Sequence, residues 1–207
     1  MQIAIVGSGE VGRSLAGGWR AAGHEVTVGT RDPDETRARP EWADLDLAAY
    51  PDLDAEVFLN ATRGETSLDA LQAVGPALNG KVVIDTANAL DFSQGFPPSL
   101  FVSNTDSLAE QLQRAIPEAR LVKMFNTMNN QVMAHPASLG QESTIFLAGN
   151  DESARQTAAG LARDLGWTDV LDLGDLTAAR GLEMYLPLWL QIANAIGGVP
   201  FNIKVVR

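Results

Sequence analysis

Short apolar runs alternate with amphipathic stretches along most of this chain. Residues 3–6 are apolar and mostly β-branched, a pattern typical of a strand buried on both faces of a parallel sheet. Similar runs predict strands at 25–28, 54–62, 81–85, 120–125, 143–149 and 168–173. Apolar residues at helical spacing predict helices at 11–22, 64–74, 106–116 and 152–165, and a long apolar helix at 176–196 that Pro187 interrupts.

A glycine-rich turn joins the first predicted strand to the first predicted helix. Gly7, Gly9 and Gly12 form a GxGxxG sequence. The first glycine permits the tight turn, the second lets backbone N–H groups approach a pyrophosphate, and the third lets the helix pack against the strand. The positive end of the helix dipole also favours a phosphate. The sequence therefore predicts a dinucleotide site; the alternative is a glycine turn that binds no nucleotide.

The order of the elements predicts the fold class. Strands that alternate with helices indicate an α/β fold, here a Rossmann-type doubly wound parallel sheet with a small C-terminal helical cap. At 207 residues the chain is long enough for one core and too short for two full domains. We expect residues 1–174 to form the nucleotide-binding domain and residues 175–207 to form a helical segment that completes a substrate cleft.

The end of the second predicted strand indicates which dinucleotide binds. NAD sites place Asp or Glu there to bind the ribose 2′-hydroxyl, whereas this chain has Thr30 and Arg31. A hydroxyl and a guanidinium both donate hydrogen bonds to a phosphate, so the sequence predicts NADP. Asp32 has two interpretations: it is the ribose ligand displaced by two positions, or it is the N-cap of the segment that follows.

Three other predicted strands end in small polar residues. Asn60 and Thr62 follow one strand, Asn88 follows the next, and Asn126 and Thr127 follow a third. Because ligands of open parallel sheets bind outside the carboxyl ends of the strands, we expect these residues to lie near one another. Amides and hydroxyls orient an amide or a carbonyl group, but they do not transfer protons readily near neutral pH.

The composition argues against several functional classes. The chain has no cysteine and two histidines, so we expect no disulfide, no thiolate catalysis and no metal site. Its net charge of −11 argues against a nucleic acid or an anionic membrane as partner. No apolar stretch reaches about 18 residues, and the first strand begins at residue 2 without a leader. We therefore expect a cytoplasmic protein.

Five segments spread over the chain carry a resemblance to a known family. They are residues 3–12, 28–31, 85–88, 123–128 and 201–204. With them the chain resembles the NADP oxidoreductase family that includes the deazaflavin (coenzyme F420)-dependent NADPH reductases and the cytosolic reductase domain of membrane metalloreductases. The resemblance implies a Rossmann domain that holds NADP(H), a C-terminal helical part that completes a cleft, and direct hydride transfer to a flavin-type ring.

The resemblance also implies roles for individual residues. It assigns the pyrophosphate turn, the 2′-phosphate and the ribose side to Gly7, Ser8, Gly9, Glu10, Val11, Gly12, Thr30, Arg31, Asn60, Ala61 and Thr62. It places near the nicotinamide, where the reaction occurs, Asn88, Asn126 and Thr127.

The residues themselves leave the second substrate and the partner surfaces open. None of the three strand ends carries a His, Lys or Glu. This favours hydride transfer to F420, FMN or FAD over reduction of a carbonyl, which needs a proton donor. The alternatives are an imine or ketone reductase and a nucleotide-binding sensor without turnover.

Two surfaces have more than one interpretation. The Gly- and Pro-rich loop 90–98 is either a flap over the site or a surface crossover. The apolar residues of the terminal helix either pack on their own domain, line a ligand cleft or contact a second copy of the chain. The oligomer that we expect is a homodimer.

Overall fold

Ten strands and eight α-helices make up the fold in the computed structural model, which describes residues 1–207. The strands are β1 (Gln2–Val6), β2 (Glu25–Thr30), β3 (Asp46–Ala49), β4 (Val57–Asn60), β5 (Val82–Asp85), β6 (Leu90–Asp91), β7 (Ser99–Leu100), β8 (Arg120–Met124), β9 (Thr144–Gly149) and β10 (Asp169–Asp172). The helices are α1 (Glu10–Ala21), α2 (Pro33–Arg37), α3 (Gly64–Val74), α4 (Leu108–Ala115), α5 (Asn130–Ala134), α6 (Glu152–Asp164), α7 (Ala179–Met184) and α8 (Leu186–Ala195).

Eight of the strands form one sheet in the order β10-β9-β8-β5-β4-β1-β2-β3. All neighbours pair in parallel except β8 and β9, which are antiparallel. The predicted α/β fold is thus confirmed, with a mostly parallel sheet in place of a wholly parallel one. Because β9 and β10 run in the reverse direction, their first residues lie at the edge where the other strands end.

The alternation of side chains along the strands builds two cores, one on each face of the sheet. Ile3 and Ile5 point into a cluster of 28 buried residues that also contains residues of α1, α5 and α6. Ala4 and Val6 point into a cluster of 19 buried residues with α3 and α4. This three-layer arrangement explains why the strands are apolar on both faces.

Three segments differ from the hydrophobic pattern. The hydrophobic pattern does not predict strand β3, because it is a short edge strand with no fully buried residue. Loop 90–98 lies within a hairpin in which β6 and β7 pair antiparallel. The terminal apolar stretch is two helices, α7 and α8, and Pro187 stands in the first turn of α8, where a missing N–H costs nothing. None of the eight helices combines the length and hydropathy that a bilayer-spanning segment needs.

The last residues form a tail that is held at the start of β9 and β10. The N–H of Thr144 donates to the carbonyl of Ile203 at 2.9 Å. Asp169 accepts hydrogen bonds from Lys204 at 2.7 Å and from Arg207 at 2.6 Å. Hydrogen bonds, first from Lys204 and then from Thr144, hold the pKa of Asp169 well below its ordinary value of 3.8. The tail is therefore attached at the same edge of the sheet as the strand ends.

We expect Asp169 to make the protein acid-labile. Because its folded-state pKa is depressed, the stabilisation is fully present above about pH 4 and is lost as the pH falls below 3.8. Between pH 5 and pH 3 the melting temperature of the wild type should therefore fall by several degrees more than that of Asp169→Asn. Asp172→Asn, which removes a half-exposed partner of Arg155, is the control. Equal acid sensitivity of all three proteins would contradict the assignment.

Candidate functional site

The carboxyl ends of six parallel strands lie along one edge of the sheet, and five of them carry or adjoin the predicted site residues. Strands β1, β2, β4, β5 and β8 end there, at Val6, Thr30, Asn60, Asp85 and Met124. The strand order reverses at β1, which has β2 on one side and β4 on the other, and such a switch point is where open α/β sheets bind ligands. The fold thus brings the predicted site residues to one edge.

The glycine turn after β1 is packed tightly at two positions and open at a third. Gly7 has a φ of 117°, and a Cβ at Gly12 would lie 2.4 Å from the carbonyl oxygen of Gly7. At Gly9 a Cβ would meet no atom within 4 Å. Gly9 is also the N-cap of α1, and no side chain caps that turn. The first N–H groups of α1 are therefore free, and open space adjoins them.

The other predicted residues of the turn differ in exposure. Ser8 and Val11 are half-buried, and Glu10 is exposed. Val11 packs against the core, so its contribution to a phosphate site is its backbone N–H.

Hydroxyl groups cluster at the end of β2. The Oγ1 atoms of Thr30 and Thr36 lie 2.8 Å apart, and Ser8 donates to Thr30 Oγ1 at 3.3 Å. Arg39 donates through Nη2 to Thr36 Oγ1 at 3.0 Å and lies 3.4 Å from Ser8 Oγ. The guanidinium of Arg39 also stacks over Trp42, with 5.9 Å between its central carbon and the ring centroid. Thr30 and Thr36 are only 4% and 2% exposed, so Ser8 and Arg39 present this cluster to solvent, and a guanidinium there suits a phosphate.

Two residues of this cluster are missed by the sequence reasoning. Thr36 and Arg39 lie on α2 and just after it. Their position along the chain could have indicated this role. Helix α2 begins three residues after β2, so its inward face lies against the same strand end.

The two arginines of this corner have no acidic partner. Arg31 and Arg39 are exposed, and the ion pairs of the chain involve other arginines. Burial raises the pKa of Tyr50, and the nearby guanidinium of Arg31 partly opposes that shift. Asp32 accepts from the N–H of Glu35 at 2.9 Å as the N-cap of α2, so the cap interpretation is confirmed.

The end of β4 is tied into a buried polar network. Asn60 is fully buried and donates to Asp85 at 2.8 Å and to Ser67 at 3.0 Å. Its Oδ1 accepts from the hydroxyl of Thr62 at 2.6 Å. The side chain of Asn60 is thus occupied within the protein, and the half-buried Ala61 and Thr62 are the residues of this strand end nearest to solvent.

Asn88 and Asn126 form an amide pair across the ends of β5 and β8. The Nδ2 of Asn126 donates to Asn88 Oδ1 at 3.0 Å and to the carbonyl of Leu182 at 2.9 Å. The Oδ1 of Asn126 is buried without any partner, and such an atom costs about 1–3 kcal/mol unless it is bonded. Thr127 is buried beside it, at 3% exposure.

The backbone around this pair is unusually constrained. Phe125 has a φ of 69°, a left-handed conformation that is uncommon for a bulky residue and costs about 1–3 kcal/mol. Its ring packs edge-on against Trp19 with 6.2 Å between centroids. A Cβ at Gly64 would lie 2.1 Å from the carbonyl oxygen of Asn88, so only glycine allows α3 to approach so closely.

Lys123 lies behind the amide pair and is a third residue that the sequence reasoning missed. Its ammonium is 2.8 Å from Asp85 and 2.8 Å from Glu183, and it also donates to the carbonyl of Ala87. Burial lowers the pKa of Lys123, but Asp85 and Glu183 outweigh this and raise it above its ordinary value. Lys123 therefore stays charged, and its raised pKa makes it a poor proton donor.

Unpartnered polar atoms concentrate in the C-terminal segment. Besides Asn126 Oδ1, the buried side-chain atoms without a hydrogen bond are Tyr185 OH, Trp189 Nε1 and Asn202 Oδ1. Trp189 stacks on Phe201 with 5.4 Å between ring centroids. Polar atoms left without partners beside stacked aromatic rings suit a planar heteroaromatic ligand.

These observations fit a dinucleotide. Free N–H groups at α1 suit the pyrophosphate, the hydroxyl cluster with two unpaired guanidinia suits a 2′-phosphate, and the orphaned Oδ1 of Asn126 suits the carboxamide N–H of a nicotinamide. Fold and site together define a Rossmann-type nucleotide-binding protein.

Several proteins that are similar to this chain point to one family within that class. Residues 2–89 match the sequence profile of the family described as NADP oxidoreductase, coenzyme F420-dependent. A crystal structure of an Arthrobacter sp. FB24 protein, proposed to be an F420-dependent NADP reductase, is 48% identical in sequence and covers 100% of both chains with a TM-score of 0.95. The chain belongs to this NADP oxidoreductase family.

Two further relatives differ in how much of them the chain covers. The F420-dependent NADP reductase of Methanocaldococcus jannaschii is 25% identical over 208 residues, which are 93% of this chain and 92% of that protein. Metalloreductase STEAP3 of Rattus norvegicus is 28% identical over 193 residues, or 91% of this chain. The chain spans only 38% of the length of that metalloreductase.

Alanine substitutions in the glycine turn should separate binding from folding. Gly9→Ala should weaken NADPH binding with little change in the melting temperature of the free protein, because its methyl group enters space next to free N–H groups. Gly12→Ala should weaken NADPH binding and also lower the melting temperature, because its methyl group collides with the carbonyl oxygen of Gly7. Thermal melts with and without NADPH measure both effects.

The control for this experiment is Gly17→Ala, which adds a methyl group to an exposed position of α1 with no neighbour within 4 Å. It should leave the NADPH-induced rise in melting temperature unchanged. A full NADPH-induced rise in Gly9→Ala would mean that the phosphates bind elsewhere.

Proposed function

We propose that this protein oxidises NADPH and passes the hydride to the planar ring of a deazaflavin such as F420, or of FMN or FAD. The observation that carries the proposal is the neutral character of the reaction edge. The half-buried Asn88 and the buried Asn126 bring neutral amides to it, while the ammonium of Lys123 behind them has all three protons engaged. Such an edge orients a ring but donates no proton, and transfer between two rings needs no protein acid.

The residues of the chain divide the work of binding. When bound, NADPH supplies the hydride and the flavin-type ring accepts it as substrate. The turn at Gly9 and the N-terminus of α1 hold the pyrophosphate, and Thr30, Arg31 and Arg39 hold the 2′-phosphate. Asn126 accepts a hydrogen bond from the nicotinamide carboxamide through its free Oδ1, and Asn88 holds that side chain in place.

Residues 175–207 form the other wall of the proposed cleft. The carbonyl of Leu182 accepts a hydrogen bond from Asn126, so α7 begins the wall directly beside the amide pair. Tyr185, Trp189 and Asn202 each bring a buried polar atom without a partner. These donors and acceptors, next to the stacked ring of Phe201, favour a flat heteroaromatic acceptor with polar edges.

Reduction of an imine or a ketone is the second candidate. One observation favours it: the hydroxyl of Tyr185 has no partner, and burial raises its pKa, so it remains a protonated phenol. Such a group can act as the acid that carbonyl reduction needs. If the protein reduces no acceptor, it acts as a nucleotide-binding sensor without turnover.

The homodimer remains a prediction. Helix α8 buries only Leu186 fully. Large apolar side chains stay exposed along and beyond it, with Leu188 at 57%, Ile196 at 41% and Val199 at 56% exposure. A second copy of the chain would cover this surface.

The corner at Thr30 should make the protein prefer NADPH to NADH. A hydrogen bond to a charged group contributes about 1.5–3 kcal/mol, so Arg31→Ala and Arg39→Ala should each weaken NADPH binding about tenfold and leave NADH binding nearly unchanged. Titration of both nucleotides by fluorescence measures this.

Arg37→Ala is the matched control, because Arg37 is an exposed arginine of α2 without a role in the hydroxyl cluster. It should change neither affinity by more than about twofold. Equal affinities of the wild type for NADPH and NADH would remove the case for a 2′-phosphate site.

A screen of acceptors should identify the reaction. We expect NADPH absorbance to fall with a deazaflavin, or with FMN or FAD, and not with small ketones or imines. Tyr185→Phe should retain flavin-type turnover within a few-fold, since no acid is required, whereas a carbonyl reductase would lose most of its activity. Turnover of a ketone or imine alone, abolished in Tyr185→Phe, would establish the second candidate.

A further inference from the structure

The ammonium of Lys123 lies where three separate parts of the site meet. It donates to Asp85 at the end of β5, to Glu183 on α7, and to the carbonyl of Ala87. The side chains of Lys123 and Asp85 are 0% exposed, and that of Glu183 is 2% exposed. All three N–H groups are used within the protein, so Lys123 has none left for a ligand.

Each of these contacts adjoins the amide pair. Ala87 directly precedes Asn88, and Lys123 lies three residues before Asn126 on the same chain segment. Leu182, whose carbonyl accepts from Asn126 at 2.9 Å, directly precedes Glu183. A single buried charge thus holds the backbone on both sides of the pair and the helix that the pair contacts.

Glu183 extends this connection to α4. Its carboxylate accepts from the N–H of Leu108 at 2.7 Å and from the N–H of Ala109 at 3.0 Å. The free N–H groups at the start of α4 and its helix dipole therefore stabilise the second buried carboxylate. Asp85 has comparable support from Asn60 at 2.8 Å and from the N–H of Ala87 at 3.1 Å.

We propose that Lys123, Asp85 and Glu183 form a positioning clamp for hydride transfer, here called the Lys123 clamp. It keeps Asn88 and Asn126 in their relative position and holds α7, the start of the acceptor wall, against them. Its kinetic consequence rests on the proposed function, because the rate depends on how closely the nicotinamide and the acceptor ring approach. The three side chains are at most 2% exposed and cannot meet a ligand, so they are positioning residues.

The clamp is suited to positioning more than to stability. Burying an ion pair gains little net free energy compared with apolar side chains of similar size, although removing one member is costly. The nucleotide's phosphates bind at β1 and β2, on the other side of β4 from the clamp strands β5 and β8. Loss of the clamp should therefore affect the reaction far more than NADPH affinity.

The experiment compares three variants of the full chain. Lys123→Met removes the cation, and Lys123→Met/Glu183→Gln also removes one carboxylate, which restores the buried net charge of the wild type. The control is Arg180→Met. Arg180 also joins α7 to α4, through Glu110 at 2.6 Å and 2.9 Å, but from the more exposed side.

We expect kcat with the best acceptor to fall at least tenfold in both Lys123 variants, while the Kd for NADPH stays within about threefold of the wild type. The double variant should regain thermal stability without regaining kcat, so it reports on the clamp even if Lys123→Met folds poorly. Arg180→Met should keep the kcat of the wild type. A double variant with wild-type kcat, or an equal loss of kcat in Arg180→Met, would overturn the proposal.

A second measurement separates this proposal from the proposed function. If the wild type reduces no acceptor, the proposed function fails. The clamp is then tested by the fluorescence emission of bound NADPH and by hydrogen exchange at residues 86–90 and 179–186. Both should change in the double variant and not in Arg180→Met. Identical emission and exchange in these two variants would reject the clamp without any turnover.

Discussion

The structure of the site depends on a buried positive charge between two buried negative ones. Removing an ion from water costs several kcal/mol in real proteins, so Lys123, Asp85 and Glu183 are tolerable only together and only with their further hydrogen bonds. Those bonds reach two central strands, the start of α4 and helix α7. The helical segment that follows the sheet is consequently fixed at the strand ends by charge as well as by apolar contact.

Charge also distinguishes the end of β2, with Arg31 and Arg39, from the rest of the molecule. The chain carries a net charge of −11, which disfavours polyanionic partners, yet Arg31 and Arg39 stand there without acidic partners. The first-turn N–H groups of α1 add partial positive charge. A net charge describes the long-range field, whereas a dinucleotide responds to the few donors within hydrogen-bond distance. An acidic protein can therefore hold an anionic cofactor.

Several elements were predictable because their cause is local. The turn at Gly7 needs a residue that tolerates a φ of 117°, the role of Asp32 follows from cap chemistry with Glu35, and the polar strand ends were visible as single residues. Other elements depend on distant partners. Strand β3 forms because it pairs with β2, and the hairpin of β6 and β7 forms through pairing that its Gly- and Pro-rich composition conceals.

The sequence by itself determined most of the order of strands and helices, the glycine turn after β1 and the polar residues at the strand ends. Each of these follows from periodicity or from the conformational needs of adjacent residues. Only the tertiary structure decided which of them meet. Lys123 lies in an apolar run, and no neighbouring residue indicates its role. Its partners Asp85 and Glu183 are 38 and 60 positions away. Arg39 joins Ser8 across 31 residues. Contacts of this kind are set by the packing of the sheet and its helices, because the distance between two side chains in space is independent of their separation along the chain.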